Sequence, residues 1–339
     1  MRDDPSLAEV PLAVGGEAGR RGVVATCNYQ AREFGIHSAM PTAQAQRLCP
    51  SLVVVPPNFD KYRLVSQQIT EIYRAFTDKI EPLSLDEAFL DVSQSTDFQS
   101  SATLIAQEIR HRIRSELNII VSAGVAPNKF LAKIASDWNK PDGLFVITPE
   151  QIDSFVQKLP VRKIFGVGKV TEKKINDLGV TTCGQLRSIS LHELMEHFGV
   201  MGTRLYELCR GEDERPVKTD RRRKSLSVET TFIADLSDVD ACERQLDNLF
   251  VKLMERYEKF HRSRLDKLDQ AERCFLKMRF DDFSITTIER KFDGGLNLEA
   301  YKKLCGEAWH RKALPVRLLG IGVRFSENST DLSQYTLFD

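Results

Sequence analysis

A chain of 339 residues, 42% hydrophobic and 28% charged, is too long for one compact core and is expected to fold as two or more domains. Its 48 basic and 48 acidic residues cancel, which excludes a wholly basic nucleic-acid binder and shifts attention to local clusters of charge. It has no run of about 18 apolar residues to cross a bilayer, no secretory leader after Met1-Arg2-Asp3-Asp4-Pro5, and no metal or disulfide spacing among its seven cysteines and six histidines. A cytoplasmic protein with reduced thiols and no membrane contact is the expectation.

In chain order, residues 1–56 carry short apolar runs at 10–14, 23–26 and 52–55, broken by Pro and Gly, and predict a small α/β piece. Residues 57–148 open on Tyr62, Val65, Ile69, Ile72, Tyr73 and Phe76, whose spacings of three and four predict a helix. A strand-like run follows at 83–92, then a helix over 102–117, an apolar strand over 119–125 and a helix over 129–139. That alternation is the rhythm of an α/β sheet layer. Residues 149–213 are helical in short pieces divided by Gly166, Gly168, Gly179, Gly199 and Gly202, too short to stand alone.

A basic stretch comes next: Arg215, Lys218, Arg221, Arg222, Arg223 and Lys224 against Asp220. Read alone, it is a solvated linker. Residues 225–326 predict a separate α+β domain, with strands at 225–232, 274–280, 284–289 and 316–325 and helices at 242–257 and 298–311. Residues 327–339 predict a flexible tail, polar until Tyr335, Leu337 and Phe338.

Three segments carry chemistry. In Leu83-Ser84-Leu85-Asp86-Glu87-Ala88-Phe89-Leu90 two adjacent carboxylates interrupt apolar sequence. Such a pair is either a solvent-facing hairpin tip or a set of hard oxygen ligands for Mg²⁺, and these eight residues alone leave the two readings even. In the segment from Gly22 to Gly35, Thr26, Tyr29 and Arg32 recur every third residue, which predicts one face of a helical turn suited to a triphosphate or simply an exposed polar helix. Ile164-Phe165-Gly166-Val167-Gly168-Lys169 is either a Gly-rich helix cap or a hairpin whose backbone N–H groups approach a phosphate.

Taken together, the blocks Ala25-Thr26-Cys27-Asn28-Tyr29, Ala39-Met40-Pro41, Ser84-Leu85-Asp86-Glu87, Ser122-Ala123-Gly124-Val125-Ala126 and Asn139-Lys140-Pro141-Asp142-Gly143 resemble the Y family of translesion DNA polymerases, and within it the bacterial stand-alone enzymes. Each block is weak alone, but the five stand in the family's order and the resemblance runs almost the whole chain. It implies an α+β multidomain, right-hand polymerase: fingers at 1–56, palm at 57–148, helical thumb with a helix-hairpin-helix at 149–213, a basic tether at 214–224, a little-finger domain at 225–326 and a clamp-binding tail at 327–339. It implies that Asp86 and Glu87 are catalytic, holding Mg²⁺ and orienting the primer 3′-hydroxyl. Thr26, Tyr29, Arg32 and Lys140 would grip the phosphates of the incoming dNTP. Gly166, Gly168, Lys169, Arg222, Arg223 and Lys224 would hold primer–template DNA, and Gln334, Leu337 and Phe338 would dock on a sliding clamp. The implied activity is that of a DNA-directed DNA polymerase, a low-fidelity nucleotidyltransferase acting as a monomer on damaged template by in-line transfer between two cations.

The chain departs from the family in one respect. The family opens on a strand of the Asp-x-Asp-x-Phe-Phe type, whose first Asp bridges both metals, and Asp3 and Asp4, ahead of Pro5, do not replace it. The resemblance therefore implies an incomplete two-metal site and primer extension near background, with an internal start as the expected origin. The rival reading is a non-catalytic DNA- and clamp-binding protein that uses only the hairpin, the tether and the tail. A subunit of a related mutagenic complex fits the motif set and tail less well.

Overall fold

The computed structural model describes residues 2–220, 222–262, 271–292 and 295–326. Internal contacts divide the chain into two units, one of residues 3–57 together with those from 222 onward, the other of residues 58–221. Among the described residues no helix is long and apolar enough to cross a membrane. All seven cysteines are free, and six of them are buried.

The first 57 residues form a three-stranded sheet of β1 (Leu12–Gly15), β2 (Val24–Cys27) and β3 (Val53–Val55) in the order β2-β1-β3. β1 runs antiparallel to β2 and parallel to β3. Two short helices, α1 (Tyr29–Glu33) and α2 (Thr42–Leu48), close over a core of Ala13, Val24, Ala31, Ile36, Met40, Ala45, Cys49 and Leu52.

Residues 58–221 begin with α3 (Phe59–Arg74), followed by the antiparallel hairpin β4 (Ile80–Pro82) and β5 (Ala88–Leu90). The strand-like run predicted over 83–92 is thus a turn and a short strand, because Ser84, Asp86 and Glu87 engage one another's backbone rather than a neighbouring ladder. Next come α4 (Ala102–Leu117), β6 (Ala123–Val125), α5 (Lys129–Trp138) and β7 (Leu144–Val146), with β6 and β7 parallel. The strand expected over 119–125 shrinks to its last three residues. Five short helices follow, α6 (Ile152–Lys158), α7 (Lys169–Asp177), α8 (Cys183–Leu186), α9 (Leu191–Phe198) and α10 (Val200–Leu208). As their lengths require, they share one core, which also takes in Phe130, Leu131 and Ile134 of α5.

From residue 222 the chain runs β8 (Ser225–Leu236), α11 (Val239–Arg262), β9 (Ala271–Phe280), β10 (Ile285–Lys291), α12 (Leu298–His310) and β11 (Val316–Phe325). The four strands make one antiparallel sheet in the order β10-β9-β11-β8. Alternate residues of β9, Cys274, Leu276, Met278 and Phe280, are buried, and they pack with Leu246, Leu249 and Leu253 of α11 and Tyr301, Leu304 and Cys305 of α12.

Candidate active site

The β4–β5 hairpin places the paired carboxylates. Leu83 and Ser84 N–H both donate to the Glu87 carbonyl, at 2.8 and 3.3 Å, closing a tight turn. The Ser84 hydroxyl donates to Asp86 Oδ1 at 2.5 Å, and Asp86 N–H donates back to that hydroxyl at 3.3 Å. Asp86 is exposed and Glu87 half-buried. Sequence reasoning left open whether this was a hairpin tip or a ligand pair. The pair stands at the tip of the hairpin, a placement compatible with either reading, and Lys133 Nζ lies 2.7 Å from Glu87 Oε1.

Lys133 reaches Glu87 because of how α5 is seated. Asn128 caps the helix, accepting from Leu131 N–H at 3.0 Å, and its amide donates to the Gly211 carbonyl at 2.8 Å. Gly124 of β6 lets the helix approach: a Cβ there would lie 2.3 Å from both Ala132 O and Ser136 N. One turn beyond Lys133, Asp137 accepts from Lys133 Nζ at 3.3 Å and from Lys140 Nζ at 2.6 Å. Burial pulls the Asp137 carboxyl up, but the two ammonium groups outweigh it and hold the carboxyl below its usual range. Burial likewise works against the Lys133 ammonium, yet Glu87 and Asp137 keep it above its ordinary value.

The loop bearing Lys140 is fixed from α4. Arg110 donates to the carbonyl and Oδ1 of Asp142 at 2.7 and 2.8 Å, and Arg114 donates to Oδ2 at 2.9 Å. Gly143 is obligatory here, since a Cβ would fall 1.9 Å from Asn139 O. The block Asn139-Lys140-Pro141-Asp142-Gly143 is therefore a clamped loop that presents one lysine. Lys133, Asp137, Arg110 and Arg114 were not singled out from sequence as site residues. The only signal was the spacing of Lys133, Asp137 and Lys140 along α5 and its end.

Thr26, Tyr29 and Arg32 do not share a helical turn as predicted. Thr26 lies on β2, paired with Val14, while Tyr29 and Arg32 lie on α1. Asn28 separates them. Its side chain accepts from Ala31 N–H at 2.9 Å to cap α1, accepts from Leu12 N–H at 3.0 Å and donates to the Val10 carbonyl at 2.8 Å. The helix cannot extend back past that cap. All three residues are exposed, and the Arg32 guanidinium sits 5.8 Å from the centre of the Tyr29 ring.

In the glycine hairpin, Gly166 has φ +97° and Gly168 is the N-cap of α7, with no side chain capping that end. Gly166, Gly168 and Lys169 are exposed, so the helix start is open to an anion. Further along, the Arg223 guanidinium lies 5.7 Å from the Phe260 ring centre, and the Lys224 carbonyl accepts from Phe325 N–H at 3.0 Å, which extends the β8–β11 ladder. Arg222, Arg223 and Lys224 thus belong to the start of the domain that follows, and the boundary between the two units falls just before them. Gln334, Leu337 and Phe338 lie outside the described residues.

Among the described residues no group of three or more His, Cys, Asp or Glu side chains is placed to hold a metal. The donors at the hairpin nonetheless suit a hard divalent cation. Asp86 and Glu87 offer carboxylate oxygens at a solvent-facing turn, and the ammonium on Glu87 shows that the position takes positive charge. Mg²⁺ is commonly held by one or two carboxylates with substrate phosphate completing the shell.

Comparison with known proteins places the chain in a family. Residues 1–137 match the impB/mucB/samB family, residues 162–213 the DNA polymerase-iota thumb domain, and residues 223–337 the C-terminal domain of the impB/mucB/samB family. The chain is 53% identical over 338 residues to DNA polymerase IV of Ralstonia nicotianae, covering 100% of this chain and 93% of that protein. Against DNA polymerase IV of Ectopseudomonas mendocina the identity is 54%, over 100% of this chain and 94% of the other. Among solved structures, a Y-family polymerase chimera of Dbh and Dpo4 superposes with a TM-score of 0.84 at 30% identity, covering 95% of this chain and 93% of that one. The chain belongs to the Y family of DNA polymerases, on its DNA polymerase IV branch.

Proposed function

We propose that the chain adds deoxynucleotides to a primer under the direction of damaged template, as a translesion DNA-directed DNA polymerase. The observation that carries the site assignment is the unbroken chain of charge Glu87–Lys133–Asp137–Lys140, which joins the carboxylate turn to the lysine loop within one folded unit.

In this reading Asp86 and Glu87 hold Mg²⁺ and orient the primer 3′-hydroxyl. The cation supplies Lewis-acid charge to the phosphate oxygens. Lys140, held out by the Asp142 clamp, donates to the triphosphate, as do the exposed Thr26, Tyr29 and Arg32. Catalysis of this kind is mainly positioning and charge stabilisation, so the rigidity of the two loops matters as much as their chemistry. The open N-terminus of α7 with Gly166, Gly168 and Lys169, and the basic Arg222, Arg223 and Lys224, take backbone phosphates without reading sequence. The tail residues Gln334, Leu337 and Phe338 dock on a sliding clamp, the chain acts as a monomer, and its place is the cytoplasm.

The test is dNTP binding to the chain on a primer–template ending in a dideoxy 3′-terminus. Selective retention of the nucleotide complementary to the template is expected, with Lys140→Ala lowering affinity about tenfold, the order of a lost charge-assisted contact. Retention of DNA with no template-selective nucleotide binding would instead favour the non-catalytic DNA-binding reading.

A further inference from the structure

Lys133 touches two carboxylates that do different things. Its ammonium is 2.7 Å from Glu87, on the hairpin turn, and 3.3 Å from Asp137, four residues on along its own helix. Its side chain is only 16% exposed, whereas those of Glu87 and Asp137 are 38% and 42% exposed. A lysine carries three donors, so it can hold both acids at once or lean on either. Asp137 has a second cation of its own, Lys140, at 2.6 Å.

We infer that Lys133 is the resident counter-ion of Glu87 when no divalent cation is bound, and that Asp137 is the positioning residue onto which it is handed when a cation takes Glu87. This deepens the proposed function and rests on its assignment of Glu87 and Lys140. A divalent cation on Glu87 repels the nearby ammonium, and Asp137 gives it a place to go without leaving its partly buried position. The arrival of nucleotide strengthens the transfer. As Lys140 leaves Asp137 for the triphosphate, Asp137 loses one of its two cations and draws the other more strongly. Cation and nucleotide binding thereby favour each other through one carboxylate.

The direction of each substitution follows. Without the Asp137 charge, Lys133 stays on Glu87 and competes with the cation. Without the Lys133 charge, nothing competes. The test uses Mn²⁺ alone as a spin probe, titrated into the nucleotide-free full chain, with free ion read by electron paramagnetic resonance. Glu87→Gln defines the site by abolishing the tightest binding. Asp137→Asn is expected to weaken that binding about three- to tenfold and Lys133→Met to strengthen it by a similar factor, the range for partly exposed ion pairs. The double variant should match Lys133→Met alone, because Asp137 acts only through Lys133; a merely structural role would give additive effects. Unchanged Mn²⁺ affinity in Lys133→Met, or additive behaviour in the double variant, overturns the inference. Loss of the Glu87→Gln effect overturns the site assignment itself, and the two failures are therefore distinct.

Discussion

The domain from residue 222 onward and the region that carries the carboxylate turn are held together by different physics. Among the described residues the first has four strands of seven to twelve residues in one sheet, backed by two helices over nineteen buried apolar residues. The second has four strands of only three residues each, in two separate pairs, and beside them a cluster of four buried isoleucines, Ile72, Ile105, Ile109 and Ile113. Its larger apolar core, of seventeen buried residues, lies among α5 and the helices α6 to α10, and charges fasten the carboxylate hairpin to it. The Lys129 side chain, 9% exposed, pairs with Glu81, which also accepts from Lys218 N–H at 2.7 Å. Asp213, 3% exposed, accepts from Phe130 N–H at 3.0 Å and from Arg215 at 2.5 and 2.7 Å. Strands of seven to twelve residues can be closed by apolar area alone, whereas strands of three residues make short ladders to which ion pairs add hold.

The largest effect should come from breaking a charged joint. Glu81→Gln leaves the Lys129 ammonium buried without its counter-charge, a loss of about 3–5 kcal/mol for the 58–221 unit. Replacing both partners, Glu81→Gln with Lys129→Met, should return most of it, as denaturant midpoints would show. The same joint predicts acid sensitivity. Burial raises the Glu81 carboxyl, but hydrogen bonds from Lys129 and Lys218 N–H outweigh it and hold it below its usual value. Asp213 is likewise pulled up by burial and pushed further down by Arg215. Groups lowered in the folded state add stability above their unfolded pKa and lose it as pH falls through the folded one. Hydrogen exchange on acidification should therefore open residues 58–221 before the sheet of β8 to β11, and Glu81→Gln should flatten that pH dependence.

The apolar counterpart is Leu276→Ala on β9, a fully buried position. It should cost about 2–5 kcal/mol and show little pH dependence. Gly124→Ala is expected to fall below both, at about 1–3 kcal/mol. Its consequence is functional as well, since the added carbon pushes α5 off β6 and carries Lys133 away from Glu87. Increased Mn²⁺ affinity despite the lost stability is the expected result, because Lys133 then competes less for Glu87.

This contrast also explains what could be read from sequence. The sheet of β8 to β11 was legible because alternation along β9 and helical periodicity in α11 and α12 report directly on a buried face. The carboxylate turn was legible as a pair, Asp86 and Glu87, only through family resemblance, since its alternative as a bare hairpin tip fits the same residues. The contacts around the turn were not legible, because Lys133 and Glu87 are 46 positions apart and nothing local marks their meeting. Thr26 was misplaced for the opposite reason. A period of three suggested a helix, and the multiple bonds of Asn28, which start α1 only afterwards, depend on Val10 and Leu12 far behind it.

The smallest effect concerns a charged joint inside the other unit, and it tests whether ion pairs matter there at all. Arg21 sits just beyond a short 3₁₀ turn with φ +55°, and its guanidinium meets Asp235 of β8 at 2.5 Å, their side chains 26% and 28% exposed. Arg21 holds the Asp235 carboxyl below its ordinary value against a smaller opposing effect of burial, with Arg317 adding to the pull. Two features limit its worth. Both groups keep access to water, which screens the pair, and Arg317 remains to satisfy Asp235 when Arg21 is removed. A double-mutant cycle of Arg21→Ala and Asp235→Ala should therefore give a coupling of no more than about 1 kcal/mol, declining with added salt. A coupling of several kcal/mol would mean that this unit, too, depends on charge, and the contrast between its apolar sheet and the ion-paired region around Glu81 would no longer hold.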